Sequence, residues 1–218
     1  FAEVKVRTLS LQEDKKQREK EKELKEEEKE LLEKGKEKIL GEKIIRTIGS
    51  NDIKNNVGNL DFNQSKYKDT KELIINIPIA LGRKDSTLNI KYGELQMSIN
   101  PKDLYTYRVS ALDKGDKDSN LQIKIKRDGE PHIPRGKKIA SRSYEFDFSF
   151  QIGKNTIEID KLLRSGKLTL NLDNILYGNA KNVILYKYDK AKGEYTKASN
   201  NRSTSFDTGG KYILLGNR

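Results

Sequence analysis

The residue types that do chemistry are scarce in this chain, and their spacing narrows them further. There are no cysteines, which excludes thiolate metal sites, disulfides and a cysteine nucleophile. His132 is the single histidine and stands between Pro131 and Pro134 in a basic stretch, which reads as an exposed loop. A Ser-His-Asp set would have to recruit it, and no G-x-S-x-G turn is present to carry the serine. No P-loop or G-x-G-x-x-G run occurs. Carboxylates remain. Glu145 and Asp147 are two residues apart, as are Glu158 and Asp160. In a strand that spacing puts both members of a pair on one face, an arrangement a glycosidase could use. Solvated strand faces carry the same pattern, so no catalytic residue is assigned and no enzymatic activity is expected. Asp116-Lys-Asp118-Ser-Asn120 opens like a calcium loop, but Leu121 stands where the turn needs glycine and Arg127 where a bidentate Glu is needed. That excludes an EF-hand. Asp116, Asp118 and Asn120 are kept as ligands of a looser surface Ca2+ site, the one cofactor considered.

Binding chemistry has more material. The net charge is +11, a balance that suits polyanionic partners such as wall polymers. The loop from Arg127 to Lys138 gathers Arg127, Arg135, Lys137 and Lys138 as a candidate polyanion site. Its attraction would weaken as salt shortens the screening length. Acids are interspersed with the bases nearly everywhere, and no arginine-rich or RNP-like motif appears, so nucleic acid is not an expected partner. For sugars, a flat aromatic platform is the usual requirement. There is no tryptophan, and Tyr105, Tyr107, Tyr186 and Tyr188 are the candidates to supply one.

The elements that must position these residues are mostly strands. Tyr144, Phe146, Phe148 and Phe150 alternate with Glu145, Asp147 and Ser149, so the aromatics share one face and the acids the other. Leu168, Leu170 and Leu172 alternate in the same way, and Val183 to Tyr188 is apolar on both faces at its start, as in a central strand. Upstream, Leu73 to Ile79 reads as a strand closed by Pro78 at an edge, residues 87–92 and 94–100 as a hairpin about Gly93, Leu104 to Val109 as a strand carrying Tyr105 and Tyr107, and Leu121 to Lys126 as a half-buried strand. Residues 12–45 differ. They are dominated by Lys and Glu with no proline, and predict a charged spacer helix. Leu24, Leu31 and Leu32 are its self-association candidates, together with Val4 and Val6 in a strand-like segment 1–11 that a neighbouring molecule could accept. Residues 46–70, rich in Asn, Asp, Ser and Gly, read as a linker with one edge strand near Val57 to Phe62. The expected architecture is mainly β: an antiparallel β-sandwich over 71–218 with an N-terminal charged α-helix. No apolar run is long enough to span a membrane.

From Lys71 to Leu215 the order of strands and turns resembles a β-sandwich module of Gram-positive cell-surface proteins, often found beside S-layer homology domains. The stretches that carry the likeness are LIINIPIA, LNIKYGELQMSINPKDL, SYEFDFSFQIGKNTIEIDKL, KLTLNLD, NVILYKYDKAKGEYTKAS and DTGGKYILL. Many such modules have tryptophan where this chain has Tyr195. The resemblance implies an extracellular, wall-associated role in scaffolding or assembly, with other copies of the chain or neighbouring surface proteins as partners, and it carries over no catalytic residue. The alternative expectation is a module that binds polysaccharide or cell wall through the basic loop or the tyrosines.

Overall fold

Period-two alternation decides most of this structure, because each strand has one face to bury and one to expose. The computed structural model describes residues 15–16, 18–20, 22, 26, 30, 33–115, 119–128, 133–173 and 180–217. Its strands are β1 (Lys36–Leu40), β2 (Lys43–Thr47), β3 (Ile53–Lys54), β4 (Val57–Asp61), β5 (Glu72–Pro78), β6 (Thr87–Tyr92), β7 (Leu95–Ile99), β8 (Asn120–Asp128), β9 (Lys137–Ile139), β10 (Ser143–Ile152), β11 (Asn155–Glu158), β12 (Gly166–Leu170), β13 (Lys181–Asp189), β14 (Glu194–Lys197), β15 (Ser203–Phe206) and β16 (Gly210–Asn217). Two short helices, α1 (Ile79–Gly82) and α2 (Tyr107–Leu112), lie between strands.

The strands form two sheets. One runs β1-β2-β5-β8-β10-β16-β13-β14, with β11 added to β10 and β9 to β16; the other runs β15-β12-β7-β6-β4-β3. The chain repeatedly leaves one sheet for the other. As a result β2 pairs β5 in parallel after β3 and β4 have joined the second sheet, and β4 pairs β6 in parallel after β5 has returned to the first. The sheets are therefore mixed rather than wholly antiparallel. Side chains from both meet in one apolar cluster, including Leu73, Ile75, Ile123, Ile125, Phe146 and Leu214 from the larger sheet and Leu60, Ile90, Tyr92, Met97 and Leu168 from the smaller. Tight turns follow their chemistry. Gly93 adopts φ +60° between β6 and β7, and Asn55 and Asn56 take φ 51° and 61° between β3 and β4, as two-residue hairpins require.

Several expectations change. The described residues between 15 and 34 are helical, but Gly35 (φ 69°) ends that run and β1 and β2 follow, so the sheets begin at Lys36 rather than Lys71. Ile44 and Ile48, read as part of a spacer and linker, are fully buried. β4 lies inside its sheet between β6 and β3, not at an edge. β5 is also interior; Pro78 closes it at the strand end, where a missing N–H is tolerated. Leu104 to Val109 is not a strand. Pro101–Asp103 is a 3-10 turn, and Thr106 caps α2 by accepting from the Val109 N–H. Leu172, expected inward, lies beyond β12 and is 37% exposed. β13 is apolar on both faces because Tyr186 joins Tyr195, Ile213 and Leu215 in a second, smaller cluster, with Ile133 and Ile139 packed over it. Val4, Val6, Leu24, Leu31 and Leu32 lie outside the described residues. No helix among the described residues is long and apolar enough to cross a membrane.

Candidate binding groove

The edge of β10 is shared by two strands. Tyr144 to Phe146 pair with β16 at Tyr212 to Gly210, and Ser149 to Ile152 pair with β11 at Glu158 to Asn155. Between these two partners the Ile159 N–H donates to the Phe148 carbonyl at 2.9 Å, and beyond it the Leu162 N–H donates to the Asp207 carbonyl at 2.7 Å. Glycine permits the close approach on the β16 side. A Cβ on Gly209 would stand 2.6 Å from the Phe146 carbonyl oxygen, so only glycine lets the chain enter β16 this close to β10.

At this junction lies a groove of about 760 Å³. β8 contributes Gln122 and Lys124; β10 contributes Glu145, Asp147, Ser149 and Gln151. β11 and the residues after it add Thr156, Glu158 and Asp160. From the other side come Lys187, Tyr188 and Lys190 of β13 and its end, with Thr208, Gly209, Gly210 and Lys211 leading into β16. The two carboxylate pairs visible in the sequence are thus brought into one groove by the register of the β10–β11 hairpin. The lysines and Thr208–Gly210 were missed as site residues. The Gly153-Lys154 turn and the alternation on either side of it were the signal for the hairpin; nothing local marks β13 and β16 as the opposite wall.

The electrostatics are uneven across the groove. Asp147 sits opposite Lys124, and Glu145 opposite Lys126 on one side and Lys211 on the other. Lys124, however, is paired with Glu72 at 3.0 Å, and Lys43 reaches the same carboxyl at 3.0 Å. Burial pushes the Glu72 pKa up, but the two ammonium groups outweigh it and hold the carboxyl below the ordinary value. Among the described residues, Glu145, Asp147, Glu158 and Asp160 accept no side-chain hydrogen bond and join no ion pair. Across from them, the Lys187 ammonium donates to Thr208 Oγ1 at 3.3 Å and stands 5.4 Å over the Tyr212 ring. Burial, then the nearby Asp207, pushes the Tyr212 phenol up to about 12. Tyr188 packs edge-on against Tyr195 with ring centroids 5.3 Å apart, which fixes the orientation of its ring at the groove.

The four tyrosines do not form one platform. Tyr188 alone lines the groove. Tyr186 is 8% exposed, beneath Lys137 in the smaller cluster. Tyr105 donates to Asp113 at 3.0 Å and carries Arg83 over its ring. Tyr107, at the start of α2 rather than on a strand, is 89% exposed. The basic loop is also divided. Arg127 turns toward the core side of β8, stands 5.1 Å over the Tyr92 ring and donates to the Lys68 and Thr70 carbonyls, which ties the sheets together rather than offering a free cation. Lys137 donates to Asn217 Oδ1 at 3.0 Å, Lys138 is half-buried on β9, and Arg135 is exposed. Of the Ca2+ candidates, Asn120 begins β8, while Asp116 and Asp118 fall outside the described residues, as does His132. Among the described residues no three or more acids or histidines are grouped closely enough to hold a metal ion together. No known family, curated protein or solved structure matches this chain.

Proposed function

We propose that this chain is a non-enzymatic binding module with a two-sheet sandwich body, which holds a polysaccharide in the groove between β10–β11 and β13–β16. The observation that supports this reading most is the set of four carboxylates that, among the described residues, accept no side-chain hydrogen bond and join no ion pair, facing one groove beside an oriented tyrosine. A carboxylate accepts hydrogen bonds from neighbouring sugar hydroxyls, and such charge-assisted bonds are roughly twice as strong as neutral ones. Lys187, Lys190 and Lys211 supply donors from the opposite side, and Tyr188 offers a ring for the apolar face of a sugar. The placement at a bacterial cell surface, with cell-wall polysaccharide as the polymer, rests on the resemblance of residues 71–215. The test is affinity electrophoresis through gels containing neutral and cell-wall polysaccharides. Retardation by at least one polymer is expected, with Tyr188→Ala and Asp147→Ala each weakening it by about tenfold, the equivalent of roughly 1.4 kcal/mol. Migration unaffected by every polymer, or retardation indifferent to both variants, overturns the reading.

An assembly role is the second reading, and one observation favours it. β1 ends the larger sheet with its outer edge unpaired among the described residues, and Ile39 and Leu40 are 43% and 57% exposed there. Such an edge is a template for another strand. Sedimentation velocity of the chain and of Ile39→Lys checks it: concentration-dependent oligomers that the substitution dissolves support a scaffold, and a monomer at all concentrations removes it.

A further inference from the structure

We propose that one end of the two-sheet body docks on the surface of an anionic lipid bilayer, with Tyr107 and Leu163 entering the headgroup layer and Lys84, Lys102, Arg108 and Lys114 facing the lipid phosphates. The proposal is independent of the groove and of the polysaccharide reading.

The topology builds this surface. Pro78 pairs with Asn120, so β5 ends where β8 begins, and Leu88 pairs with Ile99, so β6 begins where β7 ends. The connections 79–86 and 100–119 therefore leave the sheets at the same end. Residues 159–165, between β11 and β12, meet them there. The Leu163 N–H donates to the Asp103 carbonyl at 3.0 Å, and Arg164 Nε donates to Asp103 Oδ1 at 2.8 Å. Arg83 reaches Asp113, which also accepts from the Tyr105 hydroxyl at 3.0 Å, so the first connection is tied to the second.

Two separate features of this end face outward. One is apolar. α2 turns Val109 into the core, which leaves Tyr107 on the opposite side of the helix. Tyr107 is almost wholly exposed, and among the described residues its hydroxyl has no hydrogen-bond partner and its ring no ring contact. Leu163 is half exposed, and Leu112 is exposed as well. The other feature is charge. Asp85 accepts from Asn100, Asp103 is paired with Arg164 and Asp113 with Arg83, while Asp160 belongs to the groove wall. Lys84, Lys102, Arg108 and Lys114 are exposed and join no ion pair among the described residues. Across the three connections basic residues outnumber acidic ones.

Cations alone would suit any polyanion, and an apolar tip alone would suit another protein. A bilayer surface uses both together. Tyrosine settles at the headgroup level, where its ring lies in apolar surroundings and its hydroxyl stays wet. Leucine reaches the acyl boundary. Lysine and arginine beside them are attracted by anionic headgroups over about a screening length. The contact is peripheral and needs no membrane-spanning segment.

A protein of net charge +11 is drawn to any anionic surface, so the experiment has to separate this end from the average. The full chain is sedimented with vesicles of phosphatidylcholine alone and with vesicles of an equimolar mixture of phosphatidylcholine and phosphatidylglycerol. Binding is expected to the mixed vesicles only. Arg108→Glu/Lys114→Glu should abolish it, and Tyr107→Ser/Leu163→Ser should weaken it by about tenfold without changing the thermal midpoint. Tyr107→Ala alone, at a side chain that packs on nothing, should weaken it in the same direction. Lys38→Glu/Lys68→Glu makes the same change of charge at two exposed lysines outside these connections and should bind as the native chain does. Equal loss in the two charge variants, or binding indifferent to both tyrosine variants, shows attraction by net charge alone and overturns the proposal. Failure to bind mixed vesicles overturns it too. So does self-association in the absence of vesicles that Tyr107→Ser/Leu163→Ser removes, which would assign this end to a second copy of the chain.

Discussion

Phe146 is the residue on which the larger sheet's half of the core converges. Its ring lies 4.9 Å from Phe206, 5.4 Å from Tyr212 and 5.7 Å from Phe148, centroid to centroid. Phe206 comes from the smaller sheet, so the contact joins the two sheets directly above the strand that carries the groove acids. Phe146→Ala should cost about 3–5 kcal/mol, read as a lowered midpoint in urea unfolding. Glu72 gives a second test on the outer face. Its folded pKa is depressed, so it contributes stability above the unfolded value of about 4.3 and loses that contribution as pH falls through the folded one. Thermal midpoints measured from neutral pH down through the carboxylate range should fall in the native chain. In Glu72→Gln they should start lower and fall less steeply. Parallel curves would mean that the Lys43–Glu72–Lys124 contacts contribute nothing.

Between elements, the closest approach is backbone against backbone where the helical residues reach the sheets. A Cβ on Gly49 would stand 2.6 Å from the Glu33 carbonyl oxygen and 2.6 Å from Lys34 C, and Asp52 holds the turn by accepting from the Gly49 N–H at 2.8 Å. Gly49→Ala should therefore destabilise the chain by about 1–3 kcal/mol, as overpacking does. A substitution on the open tip of the β1–β2 hairpin, Gly41→Asn, should be far milder, because nothing lies near that position and asparagine tolerates its φ of 59°. Equal losses in chemical unfolding would refute the crossing as the reason for Gly49. These two glycines also mark where sequence reading succeeded and failed. β6, β7, β8 and β10 were legible because their alternation is uninterrupted. β1 and β2 were not: Lys-Glu-Lys-Ile-Leu of β1 has helical composition, and it is extended as the outer partner of β2, which itself joins the sheet through β5, nearly thirty residues away. The groove was half legible for the same reason. Its acid pairs follow from period two, but their meeting with Lys187, Tyr188 and Lys190 depends on β16 abutting β11, a non-local event that no short window of sequence records.

At the scale of the molecule, the two readings of the chain's organisation differ by two strands in each sheet. If the body began at Lys71, the preceding residues would be dispensable for folding. In the structure β1 and β2 cover one side of β5, and β4 covers one side of β6. Ile44, Ile48, Leu60, Phe62 and Tyr67 are all buried in the shared cluster. At about 1.5–3 kcal/mol for each buried side chain, their loss removes roughly 8–15 kcal/mol of apolar stabilisation. That is the size of a whole domain's net stability, about 5–15 kcal/mol, so the deficit decides whether the rest folds. It would also strip β5 and β6 of partners and leave two long apolar edges open to aggregation. A chain beginning at Glu33 should give a dispersed amide spectrum and a single cooperative melt. A chain beginning at Lys71 should give neither, and should be recovered largely from the insoluble fraction. Cooperative unfolding of the Lys71 chain near the full chain's midpoint would show that β1–β4 are accessory. The groove tests the same point independently, because its lining residues all lie after Lys71. A Lys71 chain that fails to fold should lose polysaccharide binding without a single groove residue having been changed.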